Sequence, residues 1–224
     1  MSAGAPVRVD IAGPTDAGDF RAHANSMLAQ QVPPNSLDWH PLTSSTLGVA
    51  FHGDGDGSNH GASALHSIVP RSFVRLTELV VLHRDPARFD LLYRLLWELV
   101  HEPEAARQRR DLALAQSMAQ AVRRDIQKTA RAVWLRPLPP DGDVVLSVAW
   151  CEPQHQVTEQ VAQRLAKTQP APWILASPDR CVLWTGRHLL CGPGMSAGEA
   201  STMSAAGWYA MASDLVASTV ARAS

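Results

Sequence analysis

Residues 107 to 136 hold the clearest concentration of chemically useful side chains in this 224-residue chain. The stretch carries eight basic and two acidic residues, a net charge of +6, while the whole chain carries −1. The remainder is therefore near −7, so the charge is segregated. The basic residues are Arg107, Arg109, Arg110, Arg123, Arg124, Lys128, Arg131 and Arg136, and the acidic ones are Asp111 and Asp125. A segregated positive surface attracts polyanions even on a nearly neutral protein, which favours a nucleic-acid partner.

The spacing inside this stretch predicts one helix, from about Leu112 to Leu135, with two different faces. Apolar or small residues recur three and four positions apart, as a core-facing stripe requires: Ala115, Met118, Val122, Ile126, Thr129 and Val133. Arg124, Lys128 and Arg131 follow the same spacing on another face. We predict that this basic face meets water and contacts phosphates. The alternative is an ordinary solvated face whose cations pair with carboxylates of the same chain.

A second candidate group is His83-Arg84-Asp85-Pro86, at the junction of two predicted helices. Such a group could bind phosphate or move a proton. The structural alternative is that Asp85 caps the following helix while His83 fills an apolar face. The full set predicted to contact DNA is Arg84, Arg88, Arg94, Arg123, Arg124, Lys128 and Arg131.

Three further groups carry weaker signals. Cys151, Glu152 and His155 could serve as nucleophile and base, although a reactive thiol needs an accessible, electropositive setting and buried reduced thiols are the favoured interpretation. Trp134, three residues beyond Arg131, is the tryptophan most expected to be exposed for stacking on a base. With Cys181 and Cys191 the cysteines number three and form no CxxC pair, so no disulfide framework is expected.

No metal or cofactor is expected. Histidines and aspartates crowd a glycine-rich segment, at His52, Asp54, Asp56, His60 and His66. Their spacing fits neither a calcium loop nor a zinc site. The chain also lacks GxGxxG, phosphate-loop and GxSxG motifs, so nucleotide-dependent and serine-hydrolase chemistry have no support.

Around the basic helix, the sequence predicts an α+β fold with a helical middle. The N-terminal part is predicted as β-α-β: a strand at Val7–Ile11, a helix from about Ala17, and a strand at Leu37–His40. The C-terminal part predicts a mostly antiparallel sheet, with strands at Val144–Trp150 and at three shorter runs. The shorter runs are Trp173–Leu175, Cys181–Trp184 and His188–Cys191, and further helices are predicted from Pro153 and over Ala200–Ala221. We expect a single domain over residues 1–224, with a flexible glycine-rich loop at about 43–67.

Composition is that of an ordinary globular protein, with 46% hydrophobic and 18% charged residues. No run approaches the roughly 18 to 20 consecutive apolar residues that cross a bilayer, and the first residues lack the features of a signal peptide. We therefore expect a soluble, cytoplasmic protein without a membrane partner.

Several motifs in order resemble one known family. They are the run from Ser72 through His83-Arg84-Asp85-Pro86 to Trp97, then Ala121–Lys128, Val148–His155, Trp173–Asp179, Trp184 and Gly192-Pro193-Gly194. The chain is similar here to DNA-metabolism proteins of unsettled function that occur alone, beside radical-SAM proteins, or fused in front of UdgX-type uracil-DNA glycosylases. The resemblance covers about Val7 to Gly194. It implies a role in DNA repair or modification, and a radical-SAM or glycosylase protein as a partner.

The chain departs from that family pattern at three places. Gln127 stands where the family usually has histidine, and Thr129 where it has methionine. Cys151 replaces an aromatic residue, and the tyrosine-rich tail is reduced to a short run around Trp208-Tyr209. If the missing groups serve chemistry, this member binds without reacting.

The leading hypothesis is thus a DNA-binding protein of repair or modification that contacts phosphates of single- or double-stranded DNA through the basic helix. A protein-interaction scaffold for a partner enzyme is one alternative. An enzyme that processes a nucleobase or nucleotide is another.

Overall fold

The computed structural model describes residues 6–13, 15–42, 69–101, 110–142 and 145–223. The glycine-rich segment with its five candidate metal ligands lies outside the described residues. So do Arg107 and Arg109. The described residues fall into two compact units, which divide between Arg123 and Arg124. The expectation of a single domain is not decided by this division and stays a prediction.

The first unit begins with a parallel pair of strands linked by a helix. Strand β1 (Val7–Ile11) pairs with β2 (Leu37–Pro41), and helix α1 (Ala17–Ala29) connects them. Asp16 caps α1 because its side chain accepts the backbone N–H of Gly18. Phe20 of α1 packs on Trp39 of β2, with ring centroids 5.3 Å apart. The predicted β-α-β start is confirmed.

The helical middle follows, with α2 (Arg71–Val80), α3 (Arg88–His101) and α4 (Arg110–Ala132). The core stripe of α3 joins the aromatic cluster through Phe89, whose ring lies 5.6 Å from that of Phe20. Tyr93 of the same helix donates its hydroxyl to the carbonyl of Val32 at 2.7 Å. These contacts fix α3 against the strand pair within the first unit.

The second unit holds a five-stranded sheet in the order β3-β4-β5-β6-β7. Its strands are β3 (Arg136–Pro137), β4 (Ser147–Trp150), β5 (Trp173–Ala176), β6 (Arg180–Trp184) and β7 (Leu189–Pro193). The β4–β5 pairing is parallel and the other three are antiparallel. This confirms the predicted fold class, α+β with a mostly antiparallel C-terminal sheet.

Helix α5 (Thr158–Ala166) begins later than the predicted start at Pro153. The segment from Cys151 to Val157 is a connection, because the backbone N–H of His155 is bonded to the Asp125 carboxylate at 2.8 Å. The single helix predicted over Ala200–Ala221 is replaced by two helices, α6 (Ala197–Thr202) and α7 (Ala205–Ala223). Ser204 separates them and accepts the backbone N–H of Gly207 at 3.2 Å, as a helix cap does.

Candidate nucleic-acid interface

The basic residues predicted to share a face of α4 are all exposed. Arg124, Lys128 and Arg131 lie in the second unit, and each is among the exposed residues. On the opposite side, the buried apolar residues of the helix are Ala115, Met118, Ala119, Val122 and Ile126. At 1.5 Å per residue the three cations span about 10 Å along the axis. Along the axis of B-DNA each strand carries one phosphate per 3.4 Å, so this length equals about three phosphates of axial rise.

These three cations are not neutralised by the described part of the chain. No carboxylate oxygen there lies within 4.0 Å of their charged groups. Both acidic residues of the basic stretch are engaged elsewhere. Asp111 pairs with Arg94 at 2.8 Å, and Asp125 is buried, where it accepts the N–H of His155. The face therefore keeps its charge for an external anion.

Gln127 also belongs to this face, although it was not in the predicted contact set. It lines one shallow, open depression together with Arg124, Lys128, Arg131 and Ala132. Gln127 lies three residues after Arg124 and four before Arg131. This helical spacing predicts that it shares a face with both arginines. An amide here adds a neutral hydrogen-bond donor and acceptor between cations. We call the surface formed by these five residues the α4 basic face.

Trp134 follows the end of α4 by two residues and is 84% exposed. Trp39, Trp173 and Trp208 are buried, and Trp97, Trp150 and Trp184 are partly buried. The sequence expectation that Trp134 is the exposed tryptophan is therefore confirmed.

Two residues of the predicted DNA-contact set have structural roles instead. Arg88 is only 2% exposed, and its guanidinium donates to the carbonyls of Val81 and Asp85 at 2.9 and 3.0 Å. Burial lowers the pKa of Arg88 to about 10, and the charge of Asp85 opposes that shift. Arg94 is held in its ion pair with Asp111. The sequence identifies the arginines, but it does not show which of them are buried or paired within the folded protein.

The remaining members of the set are exposed. Arg123 immediately precedes the α4 basic face, about 100° around the helix from Arg124. Arg84 is exposed in the first unit and has an interaction of its own.

The His83 to Asp85 junction has the geometry of a helix cap. The Asp85 carboxylate accepts the backbone N–H of Ala87 at 2.9 Å, just before α3 begins. The backbone N–H of Asp85 donates to Nδ1 of His83 at 3.2 Å. These bonds support the structural alternative for this motif, in which Asp85 starts the helix.

The thiol of Cys151 is poorly suited to nucleophilic chemistry. Burial raises its pKa to about 12, and the nearby charge of Asp125 adds to the effect. Burial likewise raises the pKa of Cys181 to about 11 and that of Cys191 to about 12. Because the thiolate is the reactive form, all three cysteines are held protonated near neutral pH. Glu152 is exposed beside Cys151, and His155 is half-buried.

Alkylation provides a direct check on these thiols. We expect iodoacetamide at pH 8 to modify native Cys151 at least about tenfold more slowly than the same residue in unfolded protein, because the raised pKa removes thiolate. Peptide mass spectrometry of timed samples with and without guanidinium measures both rates. Equal rates in the two samples would contradict the assignment of Cys151 as a half-buried, protonated thiol.

Among the described residues, no three histidine, cysteine, aspartate or glutamate side chains cluster as metal ligands would. In the same ranges, none of the helices combines the length and apolar character needed to span a membrane. Comparisons of the chain with family models, curated proteins and solved structures found no match. The resemblance to DNA-metabolism proteins therefore rests on the sequence motifs alone.

Proposed function

We propose that this protein binds DNA through the phosphate backbone, using the α4 basic face. The observation that carries the proposal is the joint exposure of Arg124, Lys128 and Arg131, none of them paired with a carboxylate in the described part of the chain. Cations placed in this way neutralise phosphates and release the counterions condensed on nucleic acid. The two arginines can each form a bidentate pair with a phosphate, while Lys128 acts as a compact charge.

Contacts of this kind provide affinity without reading sequence, because every nucleotide carries the same phosphate. The proposed activity is therefore binding with little sequence preference. The setting of DNA repair or modification, and a radical-SAM or glycosylase protein as partner, follow from the sequence resemblance. A cytoplasmic location is part of the same proposal. The protonated Cys151 thiol gives no support to a thiol-based reaction at this protein.

The test is the salt dependence of DNA binding by the wild-type chain. Three phosphate contacts predict a slope of about −2.7 for log K against log salt on duplex DNA, at roughly −0.9 per contact. Affinity should then fall about 40-fold between 50 and 200 mM salt, as followed by fluorescence anisotropy of a labelled 20-base-pair duplex. Two duplexes of unrelated sequence should give dissociation constants within about twofold of each other.

Two outcomes would contradict this function. One is an affinity that does not change with salt. The other is absence of DNA affinity from a protein that copurifies with a stoichiometric protein partner, which would favour the scaffold alternative.

A further inference from the structure

We propose that the nucleic acid bound at the α4 basic face is single-stranded and that one of its bases stacks on Trp134. This inference rests on the proposed function and narrows it to a class of ligand. Its starting observation is the indole of Trp134, which is 84% exposed, although the six other tryptophans of the chain are buried or partly buried. Tryptophan normally contributes its large apolar surface to a core, so the fold itself does not account for this one.

The backbone around Trp134 is held on both sides. The N–H of Val133 donates to the carbonyl of Thr129 at 3.0 Å and closes the last turn of α4. Two residues beyond the indole, Arg136 pairs with Val148 in the antiparallel β3–β4 ladder. Trp134 is therefore presented by fixed backbone rather than by a frayed end. With the backbone held, only the two χ angles of the tryptophan remain to be ordered when its ring stacks, so the entropic cost is small.

The ring lies within reach of a strand bound at the α4 basic face. Three residues separate Trp134 from Arg131, so their Cα atoms are at most about 10 Å apart even along a fully extended chain. Arg131 and Arg136 flank the indole in sequence and are both exposed. Proteins that bind single strands combine a positively charged groove, which contacts the backbone, with aromatic side chains on which bases stack. The exposed cations before and after Trp134 match this combination.

The charge of the surroundings decides between possible occupants. An exposed tryptophan among apolar neighbours would favour a protein partner. Here the exposed neighbours in sequence are Arg131, Ala132, Arg136 and Pro137, and Val133 and Leu135 are half-buried, so two exposed cations lie beside the ring and the surface is not wholly apolar. The phosphates of duplex DNA can pair with the cations, but its bases remain paired and stacked on one another. Only an unpaired base offers its flat face to an indole without a cost of unstacking.

The experiment compares three labelled ligands at 100 mM salt: the oligonucleotide dT20, an abasic strand with the same number of phosphates, and a 20-base-pair duplex. The wild-type protein should bind dT20 about tenfold more tightly than the abasic strand, since stacking adds to the phosphate contacts. In Trp134→Ala that advantage should disappear, while affinity for the abasic strand and the duplex stays within about twofold. Trp134→Phe should keep most of the advantage, and Trp134→Leu should lose it, because only phenylalanine retains a π face.

Val216→Ala provides the matched control, since Val216 is also an exposed apolar residue of the second unit, at 42% exposure, and should leave all three affinities unchanged. Near-ultraviolet circular dichroism checks that each variant is folded. If the wild type binds dT20 and the abasic strand equally, or if Trp134→Ala preserves the difference, the stacking proposal is wrong while phosphate binding stands. If none of the three ligands binds, the proposed function fails as well.

Discussion

Replacement of both Arg124 and Lys128 by glutamate is expected to weaken DNA binding at least about a hundredfold at 100 mM salt. The two substitutions remove two phosphate contacts and place two negative charges on the same face. The charge of that face therefore changes by −4. The salt dependence of binding should also become weaker, because two fewer counterions are released, and the slope should change by about 1.8 on the duplex and about 1.4 on a single strand. Anisotropy titrations of a labelled duplex and of dT20 over a salt series measure both quantities.

The control is a matched pair of arginines on α2. Arg71 and Arg75 are exposed and four residues apart, as Arg124 and Lys128 are, and neither forms an ion pair in the described structure. The double change Arg71→Glu with Arg75→Glu gives the same net charge as the α4 variant. It should reduce affinity by no more than about threefold, since neither arginine belongs to the α4 basic face and the proposal assigns neither of them a phosphate contact.

These two variants separate a binding surface from a general effect of charge. Equal losses in both would show that net charge alone governs binding. An unchanged affinity in the α4 variant would remove this helix from the DNA proposal. Because the four replaced side chains are exposed, thermal melting should find all proteins folded, with small shifts only.

The sequence predicted the α4 basic face because helical periodicity is a local property. Apolar residues three and four apart identify the buried side, and the cations at Arg124, Lys128 and Arg131 must then project elsewhere. The same periodicity places Gln127 on this face, whereas the family motif singles out that position only for the absence of a histidine.

Arg88 and Arg94 show where local patterns stop being informative. Both are arginines on a predicted amphipathic helix, and nothing nearby in sequence distinguishes them from the exposed arginines. Arg88 is buried because the carbonyls of Val81 and Asp85 need donors there, and Arg94 is paired with a residue 17 positions away. The fold of the connection before α3 sets the contacts of Arg88, tertiary packing sets the pair of Arg94 with Asp111, and composition and periodicity record neither.

The start of α5 at Thr158 differs from the sequence prediction at Pro153 because of another long-range contact. Proline in a first helical turn is a sound local signal, and Pro153 satisfies it. Here the Asp125 carboxylate captures the N–H of His155 from 30 residues away, and the backbone at Val157 has φ −114° and ψ 9°, so the helix begins only at Thr158. A buried carboxylate needs donors, and this long-range requirement prevails over the local preference.

Gly194→Ala is expected to lower the free energy of unfolding by roughly 3 kcal/mol, the upper part of the range for overpacking. A Cβ at this position would lie 2.5 Å from the carbonyl carbon of Pro178 and 2.6 Å from that of Asp179. Both are backbone atoms of the β5–β6 turn, so no side chain can rotate away. The turn is itself held, because the N–H of Ser177 donates to the carbonyl of Arg180 at 2.9 Å and the N–H of Met195 donates to the carbonyl of Ser177 at 2.9 Å.

Relief of the clash therefore requires β7 and the β5–β6 turn to separate, which breaks at least the bond from Met195 next to the substituted residue. Urea denaturation measures the loss, and an unchanged m-value would show that the substitution alters stability rather than the unfolded state. Gly198→Ala on α6 is the matched control: the nearest atom to its added Cβ, Ser196 Oγ, is 3.9 Å away, and the helix should gain up to about 1 kcal/mol from the better helix former. Equal stability of Gly194→Ala and the wild type would mean that this close backbone approach does not exist in solution. DNA affinity measured well below the melting temperature should be the same in both glycine variants, because neither residue lies on the α4 basic face.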